Sequence, residues 1–426
     1  TCAGAVSGWS EALKISQKKW GGKMDLPRLL EDAIFYAKDG ISITKTQAQN
    51  CRQKYSELKN SPGFLDTFLI NGEMPEEGQR FCQDRLARTL KKLGENGLDD
   101  FYRGELSRSI AADLDRVGSP LGHDDLNCFN AMIVDPISLN VGGHKVYNMP
   151  PPTQGLASLI LLGTNSRLGS VKPETFQFIH NLVESTKLAF KVRDKYISDP
   201  EYMSVDPMSF LETSTLDRMA GNVQKDSAMP WPDLGKFGDT VWLGAIDQNG
   251  RAVSFIQSIY WEFGSGIVLE ETGITWQNRG VSFSLDNAHH NILMPRRRPF
   301  HTIQPAAALL SDGRTMVYGT MGGEGQPQTQ ATIFCRYVIH GQALQESITA
   351  PRWLLGRTWG SEATNLRIES GFESSVYKDL RNAGHDLEVV GRYDEIMGHA
   401  GALVCHSSGL KEGASDPRSD GAVAAF

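Results

Sequence analysis

The spacing of apolar positions changes character along this chain. Up to about Asp115 it runs at three- and four-residue steps over charged faces, the period of surface helices. Residues 27–37 form the first clear unit: Asp25 offers a cap, Pro27 suits a first turn and Gly40 a stop. Residues 44–59, 82–93 and 105–117 repeat the pattern, with Gly118 as a stop. Gly142-Gly143 marks a turn before a short strand at 144–148, and PPPTQG at 150–155 leads into an apolar helix over about 155–163. The clearest helix begins at Pro173-Glu174, with Phe176, Ile179, Val183, Thr186 and Phe190 on one stripe that reads as core.

From about Thr213 to Asp239 no period survives, and Gly, Pro, Ser, Asp and Lys dominate, as in a mobile or functional segment. Beyond Thr240 strands take over. Residues 241–246 and 251–259 flank Asp247-Gln248-Asn249-Gly250, and Asn-Gly between two such runs is a strong hairpin signal. Ser311-Asp312-Gly313 gives a second hairpin, and a helix near 374–384 precedes more strands. The first half is therefore mostly helical and the second mostly sheet, hinged at the loose segment.

Composition narrows the class. With 426 residues, 40% hydrophobic and 22% charged, the chain can bury a large core. A net charge of -7, spread along the sequence, argues against a nucleic-acid or anionic-membrane surface. The longest apolar run, 156–162, is far below a membrane span. Arg296-Arg297-Arg298 reads as a solvated loop. The six cysteines form no CxxC pair, which favours a reducing compartment, the cytoplasm, with the periplasm or secretion left open because the natural N-terminus is not in view. His289-His290 lacks an HExxH context, and neighbouring histidines on a strand or loop point apart, so no metal is expected there.

The common nucleotide and hydrolase motifs, GxxxxGK[ST], GxGxxG and GxSxG, are absent. Ser56-Glu57-Leu58-Lys59 matches SxxK but lies on a charged, solvated helix face. Thr240 invites a different chemistry. A threonine hydroxyl is a poor nucleophile unless a base sits beside it, and its own α-amine can serve once the preceding peptide bond is cut. A polar segment ending at Asp239 is suited to such a cut, and the following strand gives a rigid mount. On spacing alone, a β-branched residue simply opening a strand is the better account of Thr240. Met321-Gly322-Gly323-Glu324-Gly325 follows a strand; its glycines suit either an oxyanion hole or a plain turn. Gly264-Ser265-Gly266 is a weaker version of the same signal.

These stretches together resemble the γ-glutamyltransferase family of N-terminal-nucleophile hydrolases. AVSGW at 5–9, PPPTQG, ESTKLAFKVRDKYISD at 184–199, GDT at 238–240, FGSGI at 263–267, RPFHTIQP at 298–305, GTMGGEGQPQTQ at 319–330 and ASDPRSDGA at 414–422 occur in the family's order. The resemblance covers nearly the whole chain. It implies an α+β fold, a four-layer αββα sandwich formed jointly by a large and a small subunit cut from one precursor. The cut maps to Asp239–Thr240. Residues 1–239 would be the large-subunit portion, N-terminally incomplete and with a mobile tail over about 213–239, and 240–426 the small-subunit portion. The heterodimers could pair further. Family members also carry a segment before the equivalent of Thr1, with an arginine that grips the substrate's α-carboxylate.

The resemblance also implies roles: Thr240 as nucleophile through an acyl-ester, Ser258 in place of a second threonine that hydrogen-bonds it, and Gly322 and Gly323 as the oxyanion hole. No metal or organic cofactor is implied. Where glutathione-cleaving members hold an ammonium group with an asparagine, a glutamine, an aspartate and paired serines, this chain has Tyr260, Arg279, Ser282 and His301-Thr302. Losing a carboxylate and gaining a guanidinium suits a small anion instead. That set resembles a branch that includes oxamate amidohydrolases. The expected substrate is a small carboxylated amide, best guess oxamate. γ-Glutamyl hydrolysis or transfer, and a non-catalytic small-anion binder, are the alternatives.

Overall fold

The computed structural model describes residues 1–231, 239–356 and 364–426, in two compact units: 1–133 with 261–278, and 134–260 with 279–426. The first unit is helical, built on Ala5–Trp20 (α1), Leu26–Asp39 (α2), Lys45–Leu58 (α3), Asp84–Asn96 (α4) and Glu105–Arg116 (α5). Asp25 caps α2 as expected, accepting from the Arg28 amide at 3.0 Å, and Gly40 ends it at φ 89°. The apolar spacing does not announce α1, on which only Val6 is buried. Tyr102 holds it instead: its hydroxyl accepts from the Ser7 amide at 3.0 Å and donates to the Ala3 carbonyl at 2.8 Å. Leu30, Leu93, Phe101, Leu106, Ile110 and Leu114 pack together as this unit's core. The Gly264-Ser265-Gly266 turn belongs here, with the Ser265 amide on the Trp276 carbonyl at 2.8 Å.

Apart from a two-residue antiparallel pairing of Ile41–Ser42 with Arg80–Phe81 in the first unit, the sheets lie in the second. Its strands are Ile137–Val141 (β1), His144–Asn148 (β2), Asp239–Ile246 (β3), Ala252–Tyr260 (β4), Ala306–Leu309 (β5), Thr315–Thr320 (β6), Trp353–Leu355 (β7), Leu366–Glu369 (β8), Leu387–Val390 (β9), Ala400–Cys405 (β10) and Lys411–Ser415 (β11). Its main helices are Gly155–Asn165 (α6), Phe176–Tyr196 (α7), Thr213–Gly221 (α8), Gln326–Phe334 (α9) and Ser374–Asn382 (α10). Six strands form one antiparallel sheet in the order β11-β10-β6-β5-β2-β1; β3 and β4 pair as a hairpin; β9-β8-β7 make a third sheet. Both hairpin signals hold. Gly250 takes φ 77° between β3 and β4, with the Asp247 carboxylate accepting from the Asn249 and Arg251 amides at 2.8 and 2.9 Å; Gly313 takes φ 87° between β5 and β6.

Register explains the stacking. Gly319 pairs with Gly401, and Tyr318 with Ala402. Side chains alternate between sheet faces, so the two glycines leave one face bare while Tyr318 faces the other, where its ring stacks with Phe334 of α9 at 6.2 Å. The indole of Trp242, from β3, fills the bare patch: a Cβ at Gly319, Gly401 or Gly244 would collide with it. Helices α6 and α9 lie on one face of the large sheet with α7 packed against them, and the β3–β4 hairpin covers the other face, which gives successive α, β and β layers in an α+β fold. α6 is apolar on all sides and is buried from Gly155 to Thr164.

Four local expectations change. The segment from Thr213 begins with a helix, α8, because Leu216 and Ala220 find an apolar seat; the remaining expected tail includes residues 232–238, outside the described residues. α7 starts at Phe176, with Thr175 accepting from the Phe178 amide at 3.4 Å, while Glu174 turns at φ 62°. Arg296-Arg297-Arg298 is not one solvated run: Arg297 is buried beneath the Tyr202 ring at 4.5 Å, and Arg298 pairs with Asp199 at 2.7 Å. The rings of His289 and His290, rather than pointing apart, lie 4.4 Å from one another. The expected subunit boundary falls inside the second unit, between α8 and β4, since a peptide cut need not follow a spatial division.

Candidate active site

Thr240 is the second residue of β3, where the hairpin slips register. Asp239 faces Tyr260 while Val241 faces Gln257, so Thr240 stands opposite both Ser258 and Ile259. The extra residue is a bulge in β4, a device that re-aims side chains at strand ends. Thr240 Oγ1 donates to Ser258 Oγ at 3.1 Å, and the same serine oxygen accepts from the Tyr260 amide at 2.9 Å. Tyr260 has φ 84°, a left-handed backbone that is costly for a bulky side chain and clusters at functional sites.

The five expected substrate-side residues meet around Arg279. Its guanidinium carbon lies 3.6 Å from the centre of the Tyr260 ring; Nη1 donates to Ser282 Oγ at 3.4 Å and Nη2 to Thr302 Oγ1 at 3.2 Å. Burial pulls the guanidinium down to about 10, with Tyr260 opposing, so it stays cationic at neutral pH. Burial also pushes the Tyr260 phenol up, against Arg279 and Ser282. His301 bridges to Thr153, its amide on the Pro152 carbonyl at 2.9 Å. Burial, then the charge of Arg279, holds the imidazole well below its usual value. Its Nδ1 accepts from the Ile303 amide at 3.2 Å, so the neutral ring carries its proton on Nε2. His301 is thus a hydrogen-bond donor here and not a second cation.

Gly322 and Gly323 follow β6 with φ 114° and 50°. Gly398 presses against this loop: a Cβ there would stand 2.6 Å from the Met321 carbonyl oxygen. One side chain joins the glycine loop to the substrate-side loop. Gln154 Nε2 donates to the Gly323 and Thr302 carbonyls, each at 2.7 Å. Its Oε1 accepts from Arg193 at 3.3 Å, and Arg193 also lies 3.4 Å from Glu324. Burial works against the Arg193 cation, but Asp194 and Glu324 outweigh it and raise its pKa. Gln154, Arg193 and Glu324 were each inside a motif stretch, yet nothing in their spacing marked them.

The fold is that of an α+β hydrolase of the N-terminal-nucleophile type, with the residues around Thr240 as its candidate site. The sequence model of gamma-glutamyltranspeptidase matches residues 1–426. The oxamate amidohydrolase proenzyme of Klebsiella pneumoniae is 50% identical over the whole chain, which covers 81% of that protein. The glutathione hydrolase-like YwrD proenzyme of Bacillus subtilis is 37% identical, over 99% of this chain and 80% of its own. The cephalosporin acylase of Bacillus halodurans superposes with a TM-score of 0.89 at 32% identity, over 99% of this chain and 77% of that one. The chain belongs to the gamma-glutamyltranspeptidase family and is an enzyme of its amidohydrolase and acyltransferase class. No helix among the described residues is long and apolar enough to cross a membrane.

Proposed function

We propose that the protein is a self-processing amidohydrolase acting on a small carboxylated amide, oxamate. The observation that carries this reading is Arg279, buried and cationic, stacked on Tyr260 and bonded to Ser282 and Thr302. A planar guanidinium fork matches a carboxylate. It would repel the ammonium of a γ-glutamyl group. The 50% identity to a protein named oxamate amidohydrolase proenzyme agrees with it.

In processing, Thr240 Oγ attacks the Asp239 carbonyl carbon, the C–N bond breaks as nitrogen takes the proton, and water hydrolyses the resulting ester. Asp239 keeps a carboxylate and Thr240 a free amine. In turnover that amine takes the Oγ proton as the oxygen attacks the amide carbon. Ser258 orients the hydroxyl. Gly322 and Gly323 amides stabilise the oxyanion, each worth roughly 3 kcal/mol. Arg279, Ser282, Thr302 and the Nε2–H of His301 hold the substrate carboxylate, and Tyr260 narrows the cavity. The intermediate collapses as the protonated amine of Thr240 returns its proton to the leaving nitrogen, which departs as ammonia and leaves an oxalyl ester on Thr240; water, giving its proton to the same amine, then attacks the ester, and that proton restores the hydroxyl as oxalate leaves. The large and small subunits stay together, and a reducing compartment suits the unpaired cysteines.

The test is ammonia release from oxamate against dye release from a γ-glutamyl anilide, with a denaturing gel and Thr240→Ala alongside. Turnover of oxamate by a split wild-type chain, with an unsplit and inactive variant, is expected. Preferential turnover of the anilide would reassign the substrate, and an active Thr240→Ala variant would remove the nucleophile.

A further inference from the structure

The long helix α7 carries a second group of chemistry-bearing side chains that the reaction does not use. His180 and Glu184, one turn apart, lie on the same face, and His385 approaches them from the loop after α10. All three are buried, and one donor atom from each falls within 4.8 Å of the others. His180 Nδ1 lies 2.9 Å from His385 Nε2, with the rings edge-on at 77°. His180 Nε2 lies 2.7 Å from the Gln224 carbonyl, which accepts only and so fixes the proton on that nitrogen. Nδ1 therefore presents a lone pair into the cluster.

Glu184 completes the set. Its Oε2 accepts from the Met229 amide at 2.9 Å. Lys187 Nζ forms a buried ion pair with Oε1 at 2.7 Å and donates to the Met229 carbonyl at 2.7 Å, so the ammonium is the partner of Oε1 that an ion would have to displace. A cavity of about 330 Å³, lined by Lys187, Met229, Trp231, Asn365, His385 and Asp386, opens beside the group.

We propose that His180, Glu184 and His385 bind one divalent transition-metal ion of the zinc class. Two imidazole nitrogens and one carboxylate oxygen suit Zn²⁺, Co²⁺ or Ni²⁺ and not the oxygen-seeking Mg²⁺ or Ca²⁺. A carbonyl orienting the far nitrogen of a histidine ligand is the usual support for such an ion. On binding, His385 shifts its proton to Nδ1, and the metal replaces the hydrogen now shared with His180. Lys187 balances Glu184 while the site is empty and can turn towards the cavity. The ion would be structural. Gln224 and Met229, which hold His180 and Glu184, lie on the segment that leads towards Asp239, so metal binding would pin the end of the chain that the cut releases.

The experiment uses full-length protein stripped with a chelator and titrated with CoCl₂, then ZnCl₂. One Co²⁺ per chain with visible absorption, displaced by Zn²⁺, is expected, together with a higher melting temperature in Zn²⁺. His385→Gln and Glu184→Gln should each weaken binding by more than the roughly tenfold to hundredfold lost with a supporting partner. His289→Gln should leave it unchanged. Absence of the Co²⁺ spectrum from the wild-type protein, or equal affinity in folded His385→Gln, overturns the site. Should a variant not fold, the wild-type titration alone decides.

Discussion

The indole of Trp242 lies so close over Gly319 that no side chain fits at that position. Trp242 is two residues from Thr240, and its Nε1 donates to Ser254 Oγ at 3.0 Å, so the fit mounts the strand that carries Thr240 on the large sheet. Gly319→Ala should cost about 1–3 kcal/mol, the range for overpacking a core, and slow the appearance of the split chain. Gly8→Ala, in a helix with no atom near the added methyl, should be neutral or stabilising. Thermal melts and a time course on gels measure both; equal behaviour of the two variants would show that the indole does not set the strand's position.

Gln154 is expected to act as a positioning residue. It is fully buried, and its amide satisfies the Thr302 and Gly323 carbonyls together. Gln154→Ala removes that donor from both carbonyls; Gly323 keeps the Gln326 amide, while the Thr302 carbonyl loses its side-chain donor at about 1–3 kcal/mol, and the glycine loop is uncoupled from the substrate loop. kcat should fall and KM for oxamate rise together. Gln154→Glu should be worse than its similar shape suggests, because it sets an acceptor against two carbonyls. A lower melting point with unchanged kinetic constants would assign Gln154 to stability alone.

How much of this was legible follows residue type. The hairpins at Asn249-Gly250 and Asp312-Gly313 were readable because a positive φ demands glycine. α2 was readable because Asp25 and Gly40 punctuate it. α1 was not, since a hydroxyl far along the chain, on Tyr102, holds it. The stripe on α7 identified its core face but not its depth: His180, Glu184, Lys187 and Arg193 are buried as well, and a periodicity argument places such residues in solvent. At the candidate site, motif order pointed to Thr240, Gly322 and Gly323, and counting from Thr240 pointed to Tyr260, Arg279 and Ser282. The Gln154 link was invisible because it joins positions 148 and 169 residues apart.

Arg279 should set substrate charge preference. Arg279→Lys keeps a cation but loses the fork and the stacking on Tyr260, so KM for oxamate should rise by roughly tenfold or more, in line with losing one charge-assisted hydrogen bond of about 1.5–3 kcal/mol. Arg279→Gln should go further and abolish the preference for oxamate over oxamide, which lacks the carboxylate. Steady-state kinetics on the two substrates check this, and a variant that still prefers oxamate to the same degree would place the carboxylate elsewhere.

Acid stability should depend on Asp416, in the ASDPRSDGA stretch. It is buried, pairs with Arg352 and with Arg418, and accepts from the Ala400 amide at 2.7 Å and the Arg418 amide at 3.0 Å. Burial alone would raise its pKa, but the two guanidinium groups and the amides outweigh burial and hold it below the usual carboxylate value of 3.8. The unfolded chain therefore takes up the proton first. The contribution is fully present above the unfolded value, about 4, and is lost as pH falls through the folded one. Asp416→Asn should cost about 3–5 kcal/mol at neutral pH, since it leaves buried Arg352 without its paired anion, while Arg418 keeps Glu369. The gap between variant and wild type should narrow below about pH 4. Urea midpoints from pH 7 down to pH 3 measure it; a gap that stays constant over that range would mean Asp416 contributes through shape and hydrogen bonding and not through its charge.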